Sequence, residues 1–383
     1  MLYRTIRVLA VVCLAALSAC SAAPQGPERG EAVRVHERAM FVAAADAPRG
    51  IDAQAVADLT LRPDARGAWT MASAPVRLDA PFYEALVSFN ADVPPAAGLA
   101  VDLRVSRPGF VSPWLRLARW GEAMVPGAPI REFRDEALGL SGMVDVDYFR
   151  SAELWETIEY RAIAVGPAGG DVRLRRVSIA ATTARRAWTQ GAFGQERTEG
   201  GDIRLDVPFR SQKTPDAKLS GRLCSPTSLA MVLAYRGVER SVAEVAGVCL
   251  DEDFDLYGNW PRNVQAAAGL GVDGYLTRVG TMAQAEAYLR AGQPIIASIQ
   301  VEREGELRGA PYKATAGHLI VLTGLTAAGD FYVNDPAAGT PETGMLVYRR
   351  DDLRNVWLAR TKGTAYILLS RTSGEARADR ARP

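Results

Sequence analysis

The sequence predicts two domains in one chain, an all-β sandwich followed by an α+β domain. Three observations carry this. Period-two apolar alternation recurs at fairly regular spacing up to residue 183, broken by Pro/Gly turns. Helix-capping signals begin only after Leu205. Between the two lies a polar, Gly-containing stretch, 184–203, that reads as a linker. The length of 383 residues accommodates two or three domains at about 150 residues each.

Residues 1–19 read as a signal peptide. Arg4 and Arg7 form a positive start, and Val8 to Leu17 is an apolar run too short to span a bilayer. Leu17-Ser-Ala-Cys20 resembles a bacterial lipobox, in which the cysteine becomes lipid-modified and opens the mature chain. Lipids on Cys20 would attach the protein to a membrane without a spanning helix, giving an exported envelope lipoprotein. The alternative is a plain cleaved signal ending near Ala19. Residues 20–32, polar and Pro/Gly-containing, then form a flexible tether.

Residues 33–183 supply the sandwich. Its strands include Leu99 to Val105, Ser112 to Trp120, Gly142 to Tyr148, Thr157 to Ala164 and Val172 to Ile179. Trp114 and Trp120 stand six apart, on one strand face, and are expected to fill the core rather than form a binding platform. Asp145 and Asp147 also share a face and are expected to be solvated.

Residues 204–371 supply the second domain. Val207 to Phe209 reads as a short strand. Cys224 to Arg236 is an apolar helix with Pro226 in its first turn and Gly237 after its end. Ser241 and Glu244 make a capping box, Asn259 and Pro261 open a third helix, and Thr281 and Gln284 cap a fourth. Strands follow at Pro294 to Val301, His318 to Leu325, Phe331 to Asn334, Met345 to Tyr348 and Ala365 to Leu369. Residues 372–383 are a polar tail expected to be disordered.

Composition narrows the function. Apolar residues make up 48% and charged residues 23%, which excludes global disorder. Lys and Arg number 45 against 44 acids, so nothing marks a nucleic-acid partner. The two histidines, His36 and His318, exclude a multi-histidine metal site, and no metal or other cofactor is expected. No signal specifies an oligomeric state.

The chemistry candidates lie in the second domain. An acyl-transfer thiol needs a lowered pKa, a base and oxyanion donors. Cys224 opens a helix, where the dipole favours an anion and the first-turn N–H groups are unspent. His318 begins a strand and Asp335 ends the next one, 17 residues later, so a turn near Ala327 to Asp330 sets them side by side. An acid beside imidazole fixes its tautomer and stabilises the imidazolium. Gln212, in a polar loop 12 residues before Cys224, is a candidate second oxyanion donor. Asn259, Trp260 and Asn334 are further cleft candidates. Cys249 is expected to pack as a small apolar residue, the alternative being a Cys224–Cys249 disulfide, which export would permit.

The series Val207-Pro-Phe209, Gln212, Cys224-Ser-Pro-Thr-Ser228, Gly317-His318 and Asn334-Asp-Pro336 resembles the C39-like branch of papain-like cysteine peptidases. The resemblance covers residues 204 to about 370. It implies a papain-like fold with Gln212 as oxyanion residue, Cys224 as nucleophile, His318 as base and acid, and Asp335 as its orienting partner. Ser225 departs from the commoner Cys-Gly-Pro. Better-known members of this family are fused to export transporters and cut double-glycine leader peptides. This sequence shows no spanning run and no P-loop, so that substrate does not carry over. Together with the lipobox-like start, the resemblance implies an exported, anchored thiol hydrolase acting on peptide or other amide bonds. Two alternatives stay open: a non-catalytic shell gripping a peptide or envelope polymer, and an acyl-transferring enzyme with the same triad.

Overall fold

Alternating apolar residues in the first half build an antiparallel sheet. The structure is a computed structural model that describes residues 59–63, 68–183 and 200–369, except 126, 128 and 217, together with the strand backbones Met40–Phe41 and Gly50–Ala55. The signal segment, Cys20, the tether, His36, linker residues 184–199 and the tail 372–383 lie outside the described residues.

Strands β1 (Met40–Phe41), β2 (Gly50–Ala55), β3 (Leu59–Leu61), β4 (Trp69–Ala72), β5 (Val76–Asp92), β6 (Gly98–Arg107), β7 (Phe110–Val111), β8 (Leu115–Gly121), β9 (Glu132–Asp135), β10 (Leu140–Asp145), β11 (Tyr148–Val165) and β12 (Val172–Thr182) form this sheet. Its order is β1-β2-β12-β5-β11-β10-β9, with β3 on β12, β4 and β6 on β11, and β7 and β8 on β6. Two facing sheets are expected from the sequence, whereas hydrogen bonding joins these strands into one network. The long strands β5 and β11 are the reason. β11 pairs with β10 near its start and with β6 and β4 near its end, with bulges around Trp155 where its register against β5 shifts. Phe82, Phe149 and Trp155 meet edge to face in the core.

The tryptophans expected in that core are not its centre. Trp114 precedes β8, is half-buried and lies beneath the Arg104 and Arg161 guanidiniums. Trp120 is half-buried under Arg262. A bulge between β6 and β8 breaks the simple alternation that would have placed the pair inward. Asp145 pairs with Arg150 at the surface, but Asp147 is buried and accepts a hydrogen bond from the Trp260 N–H at 2.9 Å.

The second half forms helices and then a sheet. α1 (Cys224–Tyr235), α2 (Val242–Cys249), α3 (Trp260–Gly269) and α4 (Met282–Arg290) begin where the sequence signals them. Ser241 and Glu244 complete their capping box, while Asn259 and Thr281 each cap through a side-chain oxygen. Strands β13 (Ile203–Arg204), β14 (Gly274–Arg278), β15 (Ile295–Val301), β16 (Thr315–Leu325), β17 (Phe331–Asn334), β18 (Met345–Tyr348) and β19 (Thr364–Leu368) follow the order β14-β19-β15-β16-β17-β18, with β13 on β16. Val207 to Phe209 is not a strand. Pro208 has no N–H to give a ladder, and the pairing falls instead on Ile203–Arg204 against Gly324–Leu325. Gly324 permits it, since a Cβ there would sit 2.1 Å from the Ile203 carbonyl oxygen.

The halves pack as one unit over residues 33–383. Leu86 of β5 and Ala180 of β12 join the core formed by α1, α3 and β16. Side chains of β5 cover the otherwise open edge of β14: Asn90 accepts from the Gly274 N–H and Ser88 from the Leu276 N–H. Gln265 of α3 pairs with both backbone groups of Ala91. Buried Glu84 of β5 receives Arg278 at 3.2 Å, and Lys362 as well.

Candidate active site

Cys224 is the first residue of α1, following Leu223, whose side chain provides no cap. Of the first-turn positions, Pro226 has no N–H and the Thr227 N–H bonds the Leu223 carbonyl, so the Ser225 N–H is the one that serves the thiol, and the helix dipole adds to its pull on an anion. The thiol is within hydrogen-bonding reach of the His318 imidazole and of the Ser225 and Leu319 N–H groups. Burial opposes its ionisation most strongly. The His318 bond and charge, with the two backbone donors, outweigh that and hold the thiol below its ordinary value.

His318 sits on β16, buried, with its Nε2–H donating to Asp335 Oδ1 at 2.8 Å. Its other ring nitrogen is left for Cys224. Ser228 of α1 donates to the Leu319 carbonyl at 3.0 Å, fixing the thiol-bearing helix against the imidazole-bearing strand. Burial pushes the imidazole pKa down, but the Asp335 charge and hydrogen bond, then Cys224, lift it to about 10. Both shifts run in the direction of a thiolate–imidazolium pair.

Asp335 directly follows β17 and is fully buried. Oδ1 also accepts from the Ala337 N–H at 3.0 Å. Oδ2 accepts from the Tyr312 hydroxyl at 3.0 Å and the Tyr348 hydroxyl at 2.7 Å. Burial disfavours this carboxylate, yet His318 and these donors keep it below the usual carboxylate range. Tyr312 in addition packs its ring edge-on to His318, with centroids 5.0 Å apart. Neither tyrosine is legible as a site residue in the sequence, because one comes from a loop and the other from β18.

Gln212 is buried beside the Asp335 turn, its backbone N–H donating to the Pro336 carbonyl at 2.8 Å. Its side-chain Oε1 is buried without a hydrogen-bond partner. Ser225 turns inward, bonding Asn263 and Tyr366 at 3.0 Å each, so its hydroxymethyl group packs into the interior. Asn259 caps α3, and Asn334 donates to the Val207 carbonyl; both are structural. Cys249 is fully buried with a free thiol that burial pushes well up, and Cys224 is also free, so no disulfide joins them.

A groove of about 580 Å³ opens at Cys224. Gly317 and Leu319 line one side, Tyr257 and Trp260 another, and Glu84 and Tyr148 of the first half close it. A thiol in the first turn of a helix, an imidazole and a buried carboxylate meeting at a groove form the constellation of cysteine-dependent acyl-transfer enzymes.

Comparison with known proteins gives the family. Residues 204–365 match the Peptidase_C39 like family, and this segment is a C39-like cysteine peptidase domain. Among solved structures, one described as a C39-like peptidase from Bacillus anthracis is 18% identical, covers 45% of this chain and all of its own, and gives a TM-score of 0.34. The double-glycine-motif protease of an AMS/PCAT transporter, solved with its leader peptide, is 20% identical over 44% of this chain and 98% of its own, with a TM-score of 0.30. The peptidase domain of Streptococcus ComA, a bifunctional ABC transporter of a quorum-sensing pathway, is 17% identical over 43% and 99%, with a TM-score of 0.31. No curated protein matches the chain.

Proposed function

We propose that the protein is an exported, membrane-anchored cysteine peptidase or amide hydrolase using a Cys224–His318–Asp335 triad. The observation that carries this is the chain of contacts from the Cys224 thiol through His318 to buried Asp335. Cys224 thiolate attacks the substrate carbonyl. A first-turn N–H and the Gln212 amide hold the oxyanion. His318 gives its proton to the leaving amine, leaving a thioacyl enzyme. It then takes a proton from water, whose oxygen adds to the thioacyl carbonyl; the C–S bond breaks, releasing the acid and the Cys224 thiolate. Asp335 keeps the imidazole oriented throughout and stabilises its charged form whenever it carries the second proton. The lipobox-like Leu17-Ser-Ala-Cys20 supports the anchor.

The test is alkylation of the purified soluble form by iodoacetamide under reducing conditions. Fast labelling of Cys224 that survives Cys249→Ser and collapses in His318→Ala is expected. Labelling no faster than that of a free cysteine in wild-type protein would overturn the reading.

A further inference from the structure

The β10–β11 hairpin reaches across from the first half into the groove at Cys224. Its two-residue tip, Val146-Asp147, joins the paired residues Asp145 and Tyr148. Val146 has φ 60°, a left-handed conformation rare for a β-branched side chain. Such strain persists only where surrounding contacts impose it. Two contacts impose it: Arg131 holds the Val146 carbonyl, and buried Asp147 accepts the N–H of Trp260. The result is to aim the next residue, Tyr148, at the groove. Its ring stacks on Trp260, with centroids 5.8 Å apart and planes at 25°. Both rings are half-buried and both line the groove with Cys224.

Each cation along the groove is paired with a carboxylate. Arg222 is answered by Asp255, Arg278 and Lys362 by Glu84, and Arg360 by Glu302 and Glu306. The unsatisfied surface is apolar. Besides the two stacked rings it includes Tyr257 and Leu256, the latter 37% exposed.

We propose that this hairpin tip is the specificity element of the peptidase, Tyr148 with Trp260 forming a platform for an aromatic or large aliphatic side chain next to the scissile bond. The inference rests on the cysteine-peptidase reading. It gives the first half a function: it supplies one wall of the substrate site, held rigid by the shared core and by Glu84 between Arg278 and Lys362.

The experiment is a cleavage-site profile on a library of peptides, read by mass spectrometry, for the soluble wild-type protein and for Tyr148→Ala and Tyr148→Phe. Wild type is expected to enrich aromatic or large aliphatic residues at one position flanking the cut. Tyr148→Phe keeps that enrichment, and Tyr148→Ala lowers it by about two- to ten-fold, the range of a lost aromatic contact. Tyr148→Leu, which keeps apolar contact with Trp260 but not the ring face, replaces the Ala variant if that does not fold. Cleavage without the enrichment, or with the same enrichment in the Ala or Leu variant, overturns this inference and leaves the peptidase standing. So does a fast-alkylating Cys224 with no library cleavage. No cleavage with an ordinary, slow Cys224 thiol overturns the peptidase reading, and this inference with it.

Discussion

Replacing Asp335 with Asn keeps a planar, hydrogen-bonding side chain but removes the charge that holds His318 protonated. The Asn oxygen can still accept from His318 and Ala337, and the Tyr312 and Tyr348 hydroxyls can rotate to accept from its amide, so the fold tolerates the change. The magnitude follows from the imidazole. Its rise from 6.5 to about 10 corresponds to about 5 kcal/mol in favour of the charged form, achieved against burial, with Asp335 the largest favourable contribution. Because the folded value lies above the unfolded one, that stabilisation is complete below about pH 6.5 and is lost as pH rises through about 10. Without the Asp335 charge, burial dominates and His318 is neutral at pH 7. Cys224 then loses its imidazolium partner while its own burial remains, and the thiol moves above its ordinary value. A thiol pKa raised by one unit already cuts the thiolate fraction about tenfold. The assay is the pH dependence of the iodoacetamide alkylation rate, paired with ultraviolet thiolate absorbance. Wild type should react below pH 9, and Asp335→Asn only as pH rises past it. Superimposable profiles would refute the electrostatic argument.

Two further substitutions probe the junction of the halves. Burial is the main cause that lifts the Asp147 carboxyl from 3.8 to about 7, outweighing its bond from Trp260. A raised folded value means stability present below about pH 4 and lost as pH climbs to 7. Asp147→Asn should therefore flatten unfolding free energy between about pH 4 and 7 and stabilise the protein at pH 8 by up to about 4 kcal/mol, as read by urea unfolding; an unchanged pH dependence would count against it. Arg278→Ala strips buried Glu84 of one of its two cations and the Thr361 carbonyl of a donor, and should cost about 3 kcal/mol in the same unfolding assay. A loss below about 1 kcal/mol would show that Lys362 alone satisfies Glu84.

What was legible in the sequence is what local chemistry dictates. Strand alternation, Pro226 in a first turn and the side chains of Ser241, Asn259 and Thr281 act within a few residues, so they placed α1 to α4 and most strands. Cys224 at a helix start and Asp335 at the end of β17 follow from the same short-range rules, whereas His318, expected to begin its strand, stands inside β16, which starts at Thr315. Tertiary structure decided the rest. Tyr312 and Tyr348 reach Asp335, and Tyr148 reaches Trp260, only after strands from distant parts of the chain pair and pack. The same holds for the burial of Asp147 and the arginine cover over Trp114. Periodicity specifies which face of an element a residue occupies. Which groups that face meets depends on bulges, register and a core shared by two halves, and those are long-range quantities that no local pattern encodes.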